Sequence, residues 1–319
     1  MLFKKISIIG FGLIGSSLAR VIREKNLARK IVAIDSSPEA RKTIFELGLA
    51  DEITADLKGG VRNADLVIIC TPIGAYADIA ATICDAMKEG AILTDVGSVK
   101  TKVVEDVSPH LTDNIHFVPA HPIAGTENSG PQSGFAGLFK DRWCILTPLP
   151  ETDIKAVESV TAFWEACGST IELMDYRRHD LILAITSHLP HLIAYTIVGT
   201  AADLEDDTKD DVIRFSASGF RDFTRIAASD PVMWRDVFLN NKEAVLEILQ
   251  RFNEDLTGLQ RAIRKGDGET LLHMFDRTRG IRRQIIDAGQ SQYATASGQR
   301  EAMPLSTAPD TMSDSQSSS

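Results

Sequence analysis

The sequence predicts a doubly wound α/β domain followed by an all-helical one. Three observations carry that prediction. Strand and helix patterns alternate through residues 1–174, a glycine-rich turn joins the first strand to the first helix, and strand patterns fade from Asp175 onward.

Lys5–Ile9 is an apolar strand, and Leu13–Glu24 repeats its apolar residues at helical spacing. Lys30–Asp35 is a second strand. Asp65–Cys70 (DLVIIC) is the continuous apolar run of a strand buried on both faces. Ala75–Met87 is helical, and Ala91–Asp95 is a strand that ends in Val96-Gly97-Ser98. Ile115–Ala120, Trp143–Thr147 and Thr170–Met174 read as further strands, with a helix over Asp153–Cys167. This order implies one sheet wound by right-handed crossovers. Tyr176–Thr200, Asp211–Ser218, Pro231–Ile263 and Gly268–Ala288 then follow a helical period. Asp203–Asp211 is an acidic interhelix loop, and the polar segment 290–319 lacks the large apolar residues a core needs, so disorder is expected there. The expected divisions are 1–174, 175–289 and 290–319.

The chain has 319 residues, enough for about two domains. With 34 Lys and Arg against 44 Asp and Glu, its net charge is -10, which argues against nucleic acid as a partner. A small anionic substrate needs only one arginine in a pocket. The four cysteines, Cys70, Cys84, Cys144 and Cys167, show neither a disulfide nor a zinc spacing and read as small apolar residues in a reducing compartment. Leu181–Ala202 is apolar but contains Ser187, His188, Pro190 and His191, so a buried helix is expected rather than a membrane span. The N-terminus has no signal-peptide layout, and a cytoplasmic location is expected.

Gly10-Phe11-Gly12-Leu13-Ile14-Gly15 stands between a strand and a helix, the context that a dinucleotide-binding turn requires. Gly10 permits the turn, Gly12 admits a pyrophosphate to the backbone, and Gly15 lets helix and strand pack closely. Asp35 lies 20 residues after Gly15 and ends the second strand, placing a carboxylate where ribose hydroxyls bind and a 2′-phosphate is repelled. Ser36-Ser37-Pro38 adds no adjacent Arg or Lys, so NAD is expected. Thr71-Pro72 and Gly97-Ser98 end strands at the cleft edge. They line the cofactor or, for Thr71-Pro72, merely turn the chain.

Polar residues concentrate in DVGSVK (95–100), HPIAGTE (121–127), SHLPH (187–191) and GFRDFTRIA (219–227). His121 follows a strand at the cleft end, where a hydride-transfer enzyme needs a base. Read only as a His-Pro dipeptide it is more often a turn residue, but its position at a strand's carboxyl end in a dinucleotide fold favours the base. His188 and His191 share a helix face, but no local Glu or Cys completes a metal site. His188 suits a pocket and His191 a core. Arg225 sits among Phe220, Phe223, Ile226 and Ala227, so it is expected to be buried and paired, with a substrate carboxylate or with Asp222.

Together IIGFGLIGSSLA, DVGSVK, HPIAGTE, SHLPH and GFRDFTRIA resemble the prephenate/arogenate (cyclohexadienyl) dehydrogenase family of tyrosine biosynthesis, from Ile6 to about Ala288. The first motif is common to many dehydrogenases, and the last four in order are more specific. The resemblance implies a Rossmann-type N-terminal domain, an all-α C-terminal dimerisation domain, and a homodimer. It implies NAD-dependent oxidative decarboxylation of prephenate or arogenate, with no metal. On that likeness His121 assists removal of the ring hydroxyl proton and Ser98 bonds near that hydroxyl. His188 shapes the pocket and Arg225 binds a substrate carboxylate. Thr126 and Glu127 support or gate the site, and Asp222 acts within its own chain or across the dimer. The nearest rival is a β-hydroxyacid dehydrogenase, whose catalytic lysine would lie in the first helix after the α/β domain. Tyr176–Thr200 contains no lysine, and Lys100 is the only nearby candidate. A rival of another class is a non-catalytic NAD-binding sensor, which would not need His121, Ser98 and Arg225 together.

Overall fold

The computed structural model describes residues 1–126, 128–203, 214 and 218–285. A parallel six-stranded sheet runs β3-β2-β1-β4-β5-β6, from β1 (Phe3–Ile9), β2 (Ala28–Ile34), β3 (Glu52–Thr54), β4 (Leu66–Ile69), β5 (Ala91–Asp95) and β6 (Ile115–Val118). This is the strand order of a dinucleotide-binding sheet, whose ligand crevice lies outside the carboxyl ends of its strands. In β1, Ile9 sits beside Ile34 of β2 and Ile69 of β4. Alternation sends neighbouring side chains to opposite faces. Leu66 and Ile68 join one core with Phe163 and Trp164, while Val67 and Ile69 join the other with Tyr76 and Val103. Burial on both faces explains the unbroken apolar run.

Helix α1 (Leu13–Glu24) matches its expected bounds, as does β5. Helices α2 (Pro38–Glu46), α3 (Leu57–Val61), α4 (Tyr76–Ile83), α5 (Lys100–Val107) and α6 (Ile154–Ala166) complete the α/β part. Neither α2 nor α5 is expected from the periodicity. In α2 only Ile44 is buried, so its apolar signal is weak. The expected strand Ile115–Ala120 breaks at Pro119, which has no N–H for a ladder. Beyond the break, β7 (Ala120–Pro122) leaves the parallel sheet. It pairs antiparallel with β8 (Trp143–Leu146), and β8 runs parallel to β9 (Thr170–Leu173). The strands expected to continue one sheet therefore form a second, three-stranded one.

The helical part continues through α7 (Tyr176–Leu183), a π-helical turn at Ala184–His188, and α8 (Leu189–Ala202). Pro190, which lacks a backbone donor, lies in the first turn of α8 beyond the widened turn. Then follow α9 (Ser218–Thr224), α10 (Pro231–Asn240), α11 (Lys242–Lys265) and α12 (Gly268–Ile285). The helix expected over Pro231–Ile263 is broken at Asn241. Most of Asp203–Asp211 and Asp211–Ser218, and all of 290–319, lie outside the described residues.

Two compact units divide the chain, 1–253 and 254–319. The described part of the second consists of the end of α11 and α12, with Leu256, Ile263, Leu272 and Phe275 exposed. Within the first, the expected burial of the apolar helix is corrected. Tyr176–Ala202 is long and apolar enough to cross a membrane by length and composition, yet only 28% of its most apolar window is buried. Leu183, Ala184, Leu189 and Ala194 face inward, whereas Leu181, Ile185, Ile197 and Val198 are exposed. Its inner face packs on Val245 and Ile248 of α11, so only one side of the helix is covered.

Gly15 shows how tightly the first turn is built. A Cβ there would collide with the Gly10 carbonyl oxygen. Gly15→Ala should lower the unfolding free energy by about 1–3 kcal/mol through overpacking, read from urea denaturation. An unchanged midpoint would show that helix and strand can separate freely.

Candidate active site

At the carboxyl ends of β1 and β2, Gly10 has φ +90 and a Cβ there would stand 2.9 Å from the Cys70 carbonyl group. Only glycine fits this left-handed turn. Gly12 is exposed with open space beside it, and among the described residues no side chain caps α1. The backbone donors of the first turn are therefore available to an anion. The Phe11 side chain is buried and its N–H donates to Asp35 Oδ2 at 2.9 Å, while Ser37 N–H donates to Asp35 Oδ1 at 2.9 Å. Leu13 and Ile14 pack half-buried on the core. Thr71 Oγ1 is buried with no hydrogen-bond partner among the described residues, while Pro72 is exposed. An open turn, a fixed carboxylate and an orphaned hydroxyl fit a dinucleotide.

One expectation at this end changes. Arg41, six residues after Asp35, donates from Nη1 to the carbonyl oxygens of Asp35 and Ser36 at 2.8 and 2.9 Å. A guanidinium thus stands at a loop that appeared free of cations, because helix α2 carries it back. Gly97 is buried, and the place of its Cβ is bounded by Asp95 Oδ2, the Tyr76 hydroxyl and Val103. The local need for glycine is set by this internal packing.

The second part of the site is a buried polar cluster. Asp95 and Lys100 are both 0% exposed and form an ion pair. Asp95 Oδ2 also accepts from Gly97 N–H at 2.7 Å, and Oδ1 accepts from Ala120 N–H at 3.1 Å. Lys100 Nζ donates to the Ala120 carbonyl at 2.7 Å. His121 follows directly, buried, with Nδ1 2.8 Å from Nε2 of His179. His179 Nδ1 lies 2.8 Å from Asp180 Oδ1. The Asp180 carboxylate accepts from Lys100 N–H at 2.7 Å and Thr101 N–H at 2.8 Å, capping α5. Ser98 is half-buried in the turn between β5 and α5.

Asn241, freed from helix at the α10–α11 break, donates to the Asp180 carbonyl at 2.9 Å and meets His188 Nδ1 at 3.0 Å. An amide nitrogen only donates, so His188 Nδ1 accepts and its proton sits on Nε2. That Nε2 is buried with no hydrogen-bond partner among the described residues. His188 meets the Trp234 ring edge to face, and His191 stacks on Trp234 with centroids 3.6 Å apart. Arg225 lies near enough to His191 to act on its charge. The contacts thus run from His121 to the neighbourhood of Arg225.

Arg225 itself is exposed, as are Asp222 and Phe223, so the expected apolar burial of this arginine is corrected: neither α9 nor the turn Arg225–Ala228 that follows it has a buried residue. Thr126 is half-buried and its hydroxyl accepts from Asn128 N–H at 3.3 Å; Glu127 lies outside the described residues. Among the described residues no group of His, Cys, Asp and Glu forms a metal site. Lys100, the rival candidate for a catalytic lysine, is sealed against Asp95. The motif reading missed His179, Asp180 and Asn241. The adjacent His179-Asp180 pair was the available signal, but nothing in its spacing points to His121.

Burial pushes His121 well below the ordinary histidine value, helped by the nearby His179, Lys100 and His188. Burial likewise lowers His179, against the pull of Asp180. It lowers His188 to about 4. For Asp180, burial raises the carboxyl, but hydrogen bonds from His179, Thr101 and Lys100 outweigh it and hold it below its usual range. The site therefore contains neutral imidazoles beside an ionised carboxylate at neutral pH.

The chain matches the family models for the prephenate dehydrogenase nucleotide-binding domain over residues 18–173 and the prephenate dehydrogenase dimerization domain over 175–277. It is 42% identical to the cyclohexadienyl dehydrogenase of Zymomonas mobilis, covering 88% of this chain and 95% of that one. It is 33% identical to the prephenate dehydrogenase of Bacillus subtilis, covering 87% and 75%. Among solved structures, the prephenate dehydrogenase of Aquifex aeolicus with hydroxyphenyl propionate and NAD+ superposes with a TM-score of 0.82 at 35% identity, covering 88% and 98%.

The lowered histidines predict an acid-sensitive fold. Unfolding restores each imidazole to about 6.5, so the unfolded chain binds more protons below that pH. Stability is complete above about pH 6.5 and should fall as pH drops toward about 4, where His188 becomes protonated within the fold. Its share alone is on the order of 1–3 kcal/mol. Urea midpoints should hold between about pH 7.5 and 6.5 and fall steadily from there to about 5; a flat profile throughout would contradict neutral burial of these rings.

Proposed function

The chain belongs to the prephenate dehydrogenase family, and from that premise we propose that it oxidatively decarboxylates prephenate, arogenate or both in tyrosine biosynthesis. The observation that carries this reading is a neutral, buried His121 next to Ala120, whose N–H bonds Asp95 at the carboxyl end of β5. Bound NAD supplies the hydride acceptor for C4 of the cyclohexadiene ring. As hydride leaves, His121 takes the proton of the C4 hydroxyl, and the ring carboxylate departs as carbon dioxide while the ring aromatises. Aromatisation makes the step effectively irreversible.

Gly10, Phe11, Gly12, Leu13, Ile14 and Gly15 form the phosphate turn of this reading, with Asp35 on the ribose and Thr71, Pro72 and Gly97 at the cleft edge. Ser98 hydrogen-bonds the reacting hydroxyl. His188 presents its Nε2–H as a donor to the substrate, supported by that atom's lack of a hydrogen-bond partner among the described residues. Arg225 takes a substrate carboxylate, which its exposure leaves accessible. Thr126, Glu127 and Asp222 border the substrate. The domain division falls at 174/175, and the exposed Leu181, Ile185, Ile197 and Val198 support a homodimer through the helical part. The cytoplasm is the proposed location.

His121→Asn should lower kcat at least ~10²-fold with NAD binding retained, since positioned base catalysis is worth about that much. Undiminished turnover would remove His121 as the base. Asp35→Ser should raise the NADP-to-NAD ratio of kcat/KM by about tenfold or more, about 1.4 kcal/mol of relieved repulsion. Arg41 already stands beside that loop to meet a 2′-phosphate. A wild-type enzyme that uses NADP as readily as NAD would contradict the role given to Asp35.

A further inference from the structure

The reaction asks His121 to present one particular ring nitrogen with its lone pair free. The hydrogen bonds around it decide which nitrogen that is. Asp180 is acceptor-only when ionised, and its orientation is fixed by Lys100 N–H at 2.7 Å and Thr101 N–H at 2.8 Å. The nitrogen 2.8 Å from it, His179 Nδ1, must therefore carry a proton and donate. A neutral imidazole has one N–H and one lone pair, so His179 Nε2 is an acceptor. Its partner at 2.8 Å, His121 Nδ1, is then the donor. The lone pair of His121 is left on Nε2.

We propose that Asp180 and His179 are positioning residues that lock His121 in the tautomer whose Nε2 is the base. The proposal rests on His121 being that base. No proton need travel the length of the chain. The substrate proton arrives on His121 Nε2, the Nδ1–H keeps its bond to His179, and the fixed Asp180 charge favours the cation so formed. The same carboxylate caps α5, so it also sets the turn that carries Ser98. One group thereby places the base and the adjacent hydroxyl in a common frame. The other ionisable neighbours are accounted for. On β5 and α5, Asp95 and Lys100 are paired with each other. On β8, Cys144 is held as a neutral thiol by burial. At the π turn, His188 is held neutral by burial. Asn241 adds only an uncharged amide, to the Asp180 carbonyl.

The test is the tautomer itself, read by nitrogen-15 NMR of the full-length histidine-labelled protein near neutral pH. His121 and His179 should both be protonated on Nδ1. A wild-type His121 protonated on Nε2 overturns the proposal, whatever any variant does. Asp180→Asn should shift His121 toward the Nε2–H form. It should lower kcat at least ~10²-fold with KM little changed, as when the orienting carboxylate of a catalytic triad is lost. Asp180→Glu should recover part of that loss. If His121→Asn is inactive while Asp180→Asn and His179→Asn keep the wild-type kcat, the relay is wrong and the base assignment stands. If His121→Asn is fully active, the base assignment itself is wrong. Should Asp180→Asn fail to fold, the wild-type spectrum alone decides.

Discussion

The buried ion pair of Asp95 and Lys100 is the constraint on which the site depends. Both side chains are 0% exposed. Removing two charges from water is costly unless each is fully bonded. Here the carboxylate takes the Gly97 and Ala120 amides, and the ammonium takes the Ala120 carbonyl. These bonds tie the end of β5, the glycine turn, the start of α5 and the start of β7 to one point. Ser98 lies inside that knot, and His121 leaves it by one residue. The backbone at both is therefore tied to charge pairing in the core.

A second carboxylate extends this frame into the helical part. Asp180 sits on α7 yet caps α5, and its backbone carbonyl receives Asn241 from the α10–α11 break. Asn241 in turn fixes His188. His121 of the α/β part, through His179, and His188 of the helical part, through Asn241, are thus referred to the same residue. Burial keeps the imidazoles neutral, which suits the proposed roles of His121 as base and His188 as donor. Arg225 is exposed by contrast, which suits the carboxylate-binding role proposed for it.

Much of this was legible in the amino-acid order. The glycine turn, Asp35, the apolar β4 run and the His121 and His188 motifs each declare a local need. Local signals failed where the reason lay elsewhere in the chain. Pro119 ends a strand early because it lacks a donor. Its neighbour Ala120 then bonds Asp95, 25 residues back. Arg41 reaches the Asp35 loop only because α2 turns it inward. Arg225 looked buried because its neighbours are apolar, whereas neither α9 nor the turn Arg225–Ala228 buries any of them. His179 and Asp180 act on residues 58 and 80 positions away. No periodicity records such distances, and only the fold brings them together.

The most direct measurement is the stoichiometry of the reaction. Purified protein given NAD and prephenate, and separately arogenate, should form NADH and carbon dioxide in equal amounts with at least one of them. NADH without carbon dioxide would indicate a hydroxy-acid oxidation of another kind. Neither product from a folded, NAD-binding protein would contradict the account at its centre.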